Sequence, residues 1–324
     1  MNTIDLITLR EVYKLSNEEL IEAFEKNLLP FKEDFNEKKK YLYDILSKKN
    51  IGIITYFDDE YPELLKEIPD PPVILYYIGD ISLLKTNTVS VVGTRKPTEY
   101  GKKMCSLITN EINNYTIVSG MAFGIDSIAH MNSKKTIAVL GCGVDIIYPK
   151  ANMHLYNKIS NQGLIISEYF PGTKPAKYTF PYRNRIIAGL SKSTIVIEAA
   201  KKSGSLITAN YAMDFGREVY ALPGDINRIN SYGTNYLIYM GAKPIYSLEE
   251  IQKTFNIEQL VKINNFSVEE CSIINLINDG KNTVELLYEN SNFEISKILS
   301  ILMKLEISGH LQNVDGVYSM GGKV

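Results

Sequence analysis

The sequence predicts an α/β fold built on a doubly wound parallel sheet, and three observations lead to this prediction. Short apolar, β-branched runs recur between residues 88 and 222. Helical patterns separate most of them, and runs that are apolar on both faces between helices are typical of a parallel sheet covered on both sides. Residues 1 to about 50 and the segment from about residue 268 have helical patterns instead. We therefore expect an extended Rossmann-like core, a small N-terminal helical domain and a C-terminal winged-helix domain.

The N-terminal domain is predicted to span residues 1–49. In "LSNEELIEAF", Ser16 is followed three residues later by Glu19, which is the spacing of a capping box at a helix start. "FNEKKKYLYDILSKK" predicts another helix, and its basic triplet indicates a solvated face. Together these patterns are typical of a compact helical module.

The central domain is predicted to span residues 50–252. "IGIITYF" and "PPVILYYIG" predict two strands, the second of them closed by Gly79. Further strands are predicted at "TVSVVG", "TIVSG", "TIAVLG", "LIISE", "TIVIEA" and "VYALPG". Helices are predicted at "YGKKMCSLITNEI", "GIDSIAH" and "SLITANYAMDFG".

Residues 253–265 are the predicted linker, and residues 266–324 the predicted winged-helix domain. Three helical patterns there precede "HLQNVDGVYSM", which predicts a hairpin that turns at Asp315-Gly316. The third helix balances Lys297 and Lys304 with nearby glutamates, whereas a helix that enters the major groove presents cations. We interpret this domain as a protein-contact or accessory module, with a purely stabilising role as the alternative.

Composition limits the classes of function. The 324 residues include 35 lysines and arginines against 37 acidic residues, so the formal charge is −2. This balance argues against general adhesion to duplex DNA, and a polyanion would need a local basic patch. The N-terminus has no signal-peptide pattern, and no apolar run approaches the roughly 18 residues of a membrane span. We expect a cytoplasmic protein without a metal or cofactor, since its three cysteines and three histidines are scattered: Cys105, Cys142, Cys271, His130, His154 and His310.

Small and polar residues follow four of the predicted strands. In an open parallel sheet, ligands bind at the carboxyl ends of the strands. Glycines there let backbone N–H groups approach a ligand, and helix N-termini favour anions. This arrangement predicts phosphate binding by Gly93, Thr94, Arg95, Ser119, Gly120, Gly124, Gly141, Gly143, Ser203, Gly204 and Ser205.

The stretch "KYTFPYRNRIIAGLSKS", residues 177–193, contains four cations, two tyrosines and a phenylalanine. Lys177 and Phe180 are predicted to lie in a loop, and Arg183 one turn into a helix that overhangs the strand ends. Asn184 and Arg185 are further candidates, with a structural role for one or both as the alternative. Aromatic rings stack on bases for about 1–3 kcal/mol each while cations follow the phosphates, and duplex bases offer no free face. The stretch predicts a groove for single-stranded nucleic acid; a solvated basic loop is the alternative.

Other nucleotide sites are poorly matched. The dinucleotide fingerprint is missing, because "GCGVDI" has Ile146 at the third glycine position, and no Walker pattern occurs. Asp126, Asp145, Glu168 and Glu198 lie near strand ends without an evident catalytic partner in the sequence. A nucleotide or N-glycoside hydrolase on a related fold is the alternative function.

Six ordered motifs carry a family resemblance: "VVGTRKPTEYG", "SGMAFGIDSIAH", "AVLGCGVDIIYPKAN", "FPYRNRIIAGLS", "EAAKKSGSLITANYA" and "LPGDINRINSYGTNYLIYMGA". Over roughly residues 50–250 the chain resembles the DNA-processing protein A (DprA/Smf) family. The resemblance implies a Rossmann-like protein without turnover that binds single-stranded DNA. It also implies a homodimer that loads the recombinase RecA during natural transformation, with single-stranded DNA-binding protein (SSB) as a further partner. The family's phosphate-contacting motif falls on Gly93 and Arg95, and its lysine and aromatic residue on Lys177 and Phe180.

The sequence departs from the family pattern at two places. The connection "MNSKK" after His130 is short, and Phe123 offers either a stacking surface or simple packing. The helix at residues 205–216 and the strand that ends at Leu222 are the candidate surfaces for the homodimer.

Overall fold

The computed structural model describes residues 1–29, 34–48, 51–255 and 267–320. Contacts divide the chain into two units, Met1–Ile257 and Glu258–Val324. The first unit contains, in chain order, α1 (Thr3–Tyr13), α2 (Asn17–Glu25), α3 (Phe35–Ser47), β1 (Gly52–Thr55), α4 (Glu63–Lys66), β2 (Ile74–Gly79), β3 (Thr88–Val92), α5 (Glu99–Glu111), β4 (Thr116–Ser119), α6 (Ile125–Asn132), β5 (Thr136–Val139), α7 (Met153–Gln162), β6 (Leu164–Ser167), α8 (Thr179–Gly189), β7 (Ser193–Val196), α9 (Gly204–Asp214), β8 (Glu218–Ala221), α10 (Tyr232–Tyr239), β9 (Lys243–Pro244) and α11 (Leu248–Thr254).

The strands of the first unit form one sheet in the order β1-β2-β6-β5-β4-β3-β7-β8-β9. From β6 to β9 all neighbours are parallel, while β1 and β2 add an antiparallel pair at one edge. Strands β3 to β6 are buried along their whole length, as their continuous apolar sequences require. The predicted α/β fold with a mostly parallel sheet is confirmed.

The helices of residues 1–48 share a core with the sheet. Ser16 and Glu19 form the predicted capping box at the start of α2. Leu6 and Leu20 belong to the same buried cluster as Tyr76 of β2. A separate helical domain over residues 1–49 stays a prediction.

The second unit contains α12 (Val268–Asn278), α13 (Val284–Glu289), α14 (Ile295–Ile307), β10 (Leu311–Val314) and β11 (Val317–Met320). The two strands form the predicted hairpin, and Asp315 and Gly316 turn it with positive φ angles of 52° and 83°. Three helices and a hairpin are therefore present in the predicted order, and their assignment as a winged helix stays a prediction. The predicted linker, residues 253–265, lies outside the described residues except at its first three positions, where α11 ends.

One detail of the first unit matches what the sequence predicts. After α6 ends at Asn132, only a short connection leads to Thr136 at the start of β5. Among the helices of the described ranges, none combines the length and the apolar character that crossing a bilayer demands.

Candidate nucleic-acid interface

The sheet changes direction at β3. The chain runs outward from β3 through β4 and β5 to β6, and then returns to place β7 on the other side of β3. Such a switch point opens a crevice at the carboxyl ends of the strands, because the following connections diverge to opposite faces. The segments after β3 and β7 begin with Gly93 and Ile197.

An open groove of about 690 Å³ lies at this switch point. Arg95 and Lys177 both line it and are both exposed, while the Phe180 ring is half-buried at its wall. Ten of the residues predicted for the site line the groove: Gly93, Thr94, Arg95, Lys177, Phe180, Arg183, Asn184, Ser203, Gly204 and Ser205.

The loop that carries Arg95 is fixed by hydrogen bonds to neighbouring loops. The Thr94 amide donates to the Glu198 carbonyl oxygen at 2.7 Å, and the Ile125 amide donates to the Thr94 carbonyl at 3.2 Å. Gly124 has a φ of +79°, and a Cβ there would lie 2.4 Å from the Thr94 carbonyl oxygen. Only glycine allows residue 124 to lie this close to the Thr94 carbonyl. The contacts fix the backbone beside Arg95, while the Arg95 side chain remains exposed.

The aromatic wall begins with helix α8. Phe180 lies in the first turn of α8, and the prediction that it lies in a loop is wrong. The Thr179 hydroxyl donates to the Gly141 carbonyl at 2.6 Å and anchors this turn to the end of β5. A Cβ on Gly141 would lie 2.8 Å from the Phe180 ring, so Gly141 provides the space that the ring occupies.

Tyr148 completes the aromatic wall and was not predicted from the sequence. Its ring stacks on Phe180 with centroids 5.3 Å apart and planes inclined by 29°, and its side chain is 44% exposed. Lys96, Lys202 and Asn230 also line the groove and were missed. Lys96 and Lys202 could have been predicted, because they lie directly beside the predicted residues Arg95 and Ser203. Tyr148 and Asn230 could not, because long loops bring them to the groove from elsewhere in the chain.

Arg183 lines the inner end of the groove but is only 5% exposed. Its guanidinium donates to the carbonyl oxygens of Gly120 and Val139. Burial lowers the pKa of Arg183, and the nearby Asp126 carboxylate opposes that shift. This arginine joins the ends of β4 and β5, so its placement supports a structural role.

Asn184 and Arg185 are also buried. The Asn184 side-chain amide donates to the Gly204 carbonyl at 3.2 Å and links α8 to α9. Arg185 lies outside the groove lining and forms a two-pronged ion pair with Glu168 at 2.8 and 2.7 Å. Its guanidinium also lies 3.8 Å from the centre of the Tyr182 ring. The structural alternative stated for these residues therefore matches their contacts.

The other predicted glycines and Ser119 lie outside the groove lining. The Ser119 hydroxyl is buried and donates to the Val91 carbonyl at 2.6 Å. The Gly120 amide donates to Asp126 at 3.2 Å, and the Gly143 amide donates to the Thr173 carbonyl at 2.9 Å. These residues position the loops around the groove. Phe123 is 46% exposed and is not part of the lining either.

The part of the chain that matches a known protein family is the region that forms the nine-stranded sheet. The model of the family described as DNA recombination-mediator protein A matches residues 52–256, which is more than half of the chain. The chain belongs to this family. The resemblance inferred from the six motifs is therefore confirmed.

Relatives in the recombination-mediator family align over most of this region. The DNA processing protein DprA of Streptococcus pneumoniae is 48% identical over 61% of this chain and 72% of its own length. Protein Smf of Synechocystis is 44% identical over 63% of this chain, and the match spans only 54% of that protein.

Two solved structures of such relatives are similar. DNA processing protein A of S. pneumoniae has a TM-score of 0.71 and 39% identity, with 78% of this chain and 98% of that chain covered. The second is DNA processing protein A of Helicobacter pylori, whose structure concerns its single-stranded DNA binding mode. It has a TM-score of 0.60 and 35% identity, with 64% of this chain and 96% of that chain covered.

The carboxylates that a hydrolase would need are engaged in structural contacts in this family member. Glu168 is paired with Arg185, the Glu198 carboxylate accepts from the Thr98 amide, and Asp145 accepts from the Gly172 amide. Asp126 accepts from backbone amides, and burial raises its pKa. Within residues 1–29, 34–48, 51–255 and 267–320, no group of three metal-ligating side chains is present.

Proposed function

We propose that this protein binds single-stranded DNA in the groove at the carboxyl ends of β3 and β7 and acts in DNA recombination without catalytic turnover. The observation that carries the proposal is the grouping of Arg95, Lys177 and the Tyr148–Phe180 pair in one open groove. Cations attract the phosphates, and the exposed ring offers a face to an unpaired base.

The form of the groove favours a single strand over a duplex. Its cations are few, and the whole chain has a formal charge of −2. Duplex binding draws on many phosphate contacts along a broad basic face. A single strand gains stacking in addition to charge, so a short basic and aromatic groove is sufficient for it.

We further propose that the protein loads RecA onto the bound strand during natural transformation, and that SSB is displaced or contacted there. Membership of the family described as DNA recombination-mediator protein A supports this part of the proposal. The cytoplasm, where RecA and incoming DNA meet, is the proposed site of action.

A homodimer is also proposed, with α10 as its surface. The two surfaces predicted from the sequence are poor candidates: β8 is paired on both sides, and most apolar side chains of α9 pack on the protein's own core. By contrast, Tyr232, Tyr236 and Tyr239 are 48%, 48% and 84% exposed on one face of α10. Tyrosines are enriched at protein interfaces because they combine apolar area with a polar tip.

A mobility assay with single-stranded and duplex oligonucleotides of equal length, at several salt concentrations, tests the function. Single-stranded DNA should bind at least tenfold more tightly, and its affinity should fall with salt. Equal affinity for the two forms would contradict the proposed stacking. Incubation with nucleoside monophosphates should release no free base; release would instead support the hydrolase.

A further inference from the structure

Helix α14 of the second unit has apolar side chains on the face that its own core does not cover. Ile298, Ile301, Leu302 and Leu305 point inward and are buried. Ile295, Leu299, Met303 and Ile307 follow one another at intervals of four residues and are 48%, 45%, 65% and 81% exposed. A surface helix normally has a polar outer face, so this second apolar face needs an explanation.

The exposed side chains form one continuous strip. Residues four apart lie one above the other on a helix, so the four side chains extend along about 18 Å of α14. Small Ser296 and Ser300 lie beside the strip and leave it accessible. We call the surface formed by Ile295, Leu299, Met303 and Ile307 the outer face of α14. Contiguous exposed apolar patches mark interaction sites.

Charge argues against nucleic acid at this surface. Residues 267–320 contain eight carboxylates and three lysines, a formal charge of −5. Lys297 and Lys304 are paired with Glu269 and Glu270 of α12 at 2.8 and 2.6 Å. Phosphates would meet a surface on which acidic residues outnumber lysines by eight to three, so a protein is the more suitable partner.

The negative charge of the unit also indicates what kind of protein the partner is. The whole unit, residues 258–324, has nine acidic residues and five lysines, so a second copy would bring another formal charge of −4 against this one, which opposes association. A partner with apolar side chains on one face and lysines or arginines along its edges complements both features of α14. We propose that the outer face of α14 binds a basic amphipathic helical segment of another protein, about three to four turns long.

Three synthetic peptides of equal length test this proposal with the full-length protein. The first has leucines on one helical face and lysines at its edges; the second keeps the leucines but has glutamates; the third keeps the lysines but has serines for leucines. Fluorescence anisotropy of labelled peptides gives their dissociation constants. The first peptide should bind at least tenfold more tightly than either of the others.

A matched pair of variants locates the site. Leu299→Ser with Met303→Ser removes apolar area from the outer face without changing charge, and should weaken the first peptide at least tenfold. Leu28→Ser with Leu29→Ser makes the same kind of change at residues 56% and 47% exposed in the first unit, and should leave binding unchanged. Circular dichroism confirms that both variants are folded.

Several outcomes would overturn the proposal. Equal binding of the leucine–lysine and serine–lysine peptides would mean that charge alone attracts them. An unchanged dissociation constant for the Leu299→Ser, Met303→Ser variant would mean that the peptide does not bind at the outer face of α14. A lower molecular mass of that variant in light scattering would make a second copy the occupant, and weaker duplex DNA binding would make it a nucleic-acid surface.

Discussion

Tyr148 stacks on Phe180, with ring centroids 5.3 Å apart, although 32 positions separate them in the chain. The contact joins the loop after β5 to the first turn of α8. Because Tyr148 is the more exposed ring, we infer that an unpaired base stacks first on Tyr148 and that Phe180 supports it from behind. Two rings from different loops thus form one stacking surface.

Substitution of Tyr148→Ala should weaken single-stranded DNA binding by about 5- to 150-fold, since a stacked base contributes about 1–3 kcal/mol. The dependence of affinity on salt should not change, because the ring is uncharged. Tyr148→Phe keeps the stacking surface and should bind like the unmodified protein. Tyr43→Ala, at a residue that is 59% exposed on α3, is the matched control. Wild-type affinity in Tyr148→Ala would contradict the stacking role.

Arg95→Ala and Lys177→Ala should each weaken binding and reduce the salt slope, the change of log K with log[salt], by about 0.7 for each lost phosphate contact. Lys192 precedes β7 and therefore lies at the opposite end of that strand from the groove. Lys192→Ala should leave both quantities unchanged. Titrations at three or more salt concentrations give the slope. A slope identical in all three variants would exclude these cations from phosphate contact.

The sheet could be predicted from the sequence because its strands are short, apolar on both faces and separated by helices. The capping box at Ser16 and the hairpin turn at Asp315-Gly316 are local signals, and both are present. The grouping of Arg95 with Lys177 followed from one rule, that strand ends of a parallel sheet meet at one edge.

The structural role of Arg183 could not be predicted, and that of Arg185 could be stated only as an alternative, because helical spacing does not reveal burial partners. The Arg183 guanidinium donates hydrogen bonds to two backbone carbonyls, and Arg185 forms an ion pair with Glu168. The partners in each case are distant in the chain. Tyr148 was missed for the same reason, since a loop brings it to Phe180. Composition indicates that cations are present, but only packing shows which of them remain available.

Arg185→Ala should destabilise the protein by about 3–5 kcal/mol, because it leaves the Glu168 carboxylate buried without its partner. Both side chains of this pair are 3% exposed. The double variant Arg185→Met, Glu168→Met removes both charges and should lose less stability than Arg185→Ala. Urea denaturation measures the free energies of unfolding. If Arg185→Ala were as stable as the unmodified protein, the pair would have no structural role.

Tyr236→Glu with Tyr239→Glu should convert the proposed dimer into a monomer of 36.6 kDa, because four carboxylates would meet across a symmetric interface. Tyr41→Glu with Tyr43→Glu changes two tyrosines of α3 that are 66% and 59% exposed, and should leave the mass unchanged. Light scattering after gel filtration gives the mass. A dimer that persists in the α10 variant would place the interface elsewhere.

Stability should fall in mild acid because of His130. This residue is fully buried; its Nε2 accepts from the Met121 amide at 3.3 Å, and its Nδ1 lies 2.6 Å from the Thr136 hydroxyl. Burial lowers the pKa of His130 to about 3, and the charges of Arg183 and Lys158 act in the same direction. The folded protein therefore keeps the ring neutral, whereas an unfolded histidine binds a proton below about pH 6.5.

Unfolding therefore takes up a proton between about pH 6.5 and pH 3, so lowering the pH through this window favours the unfolded state. Between pH 7.5 and pH 5, His130 should cost about 2 kcal/mol of stability. Asp126 acts in the opposite sense, because its raised pKa stabilises the folded state at low pH and that stabilisation is lost as the pH rises. Urea denaturation at pH 7.5, 6.5, 5.5 and 5.0 should thus show a steeper loss for the unmodified protein than for His130→Gln. Parallel pH profiles would mean that His130 accepts a proton in the folded state, against the neutral, hydrogen-bonded ring described here.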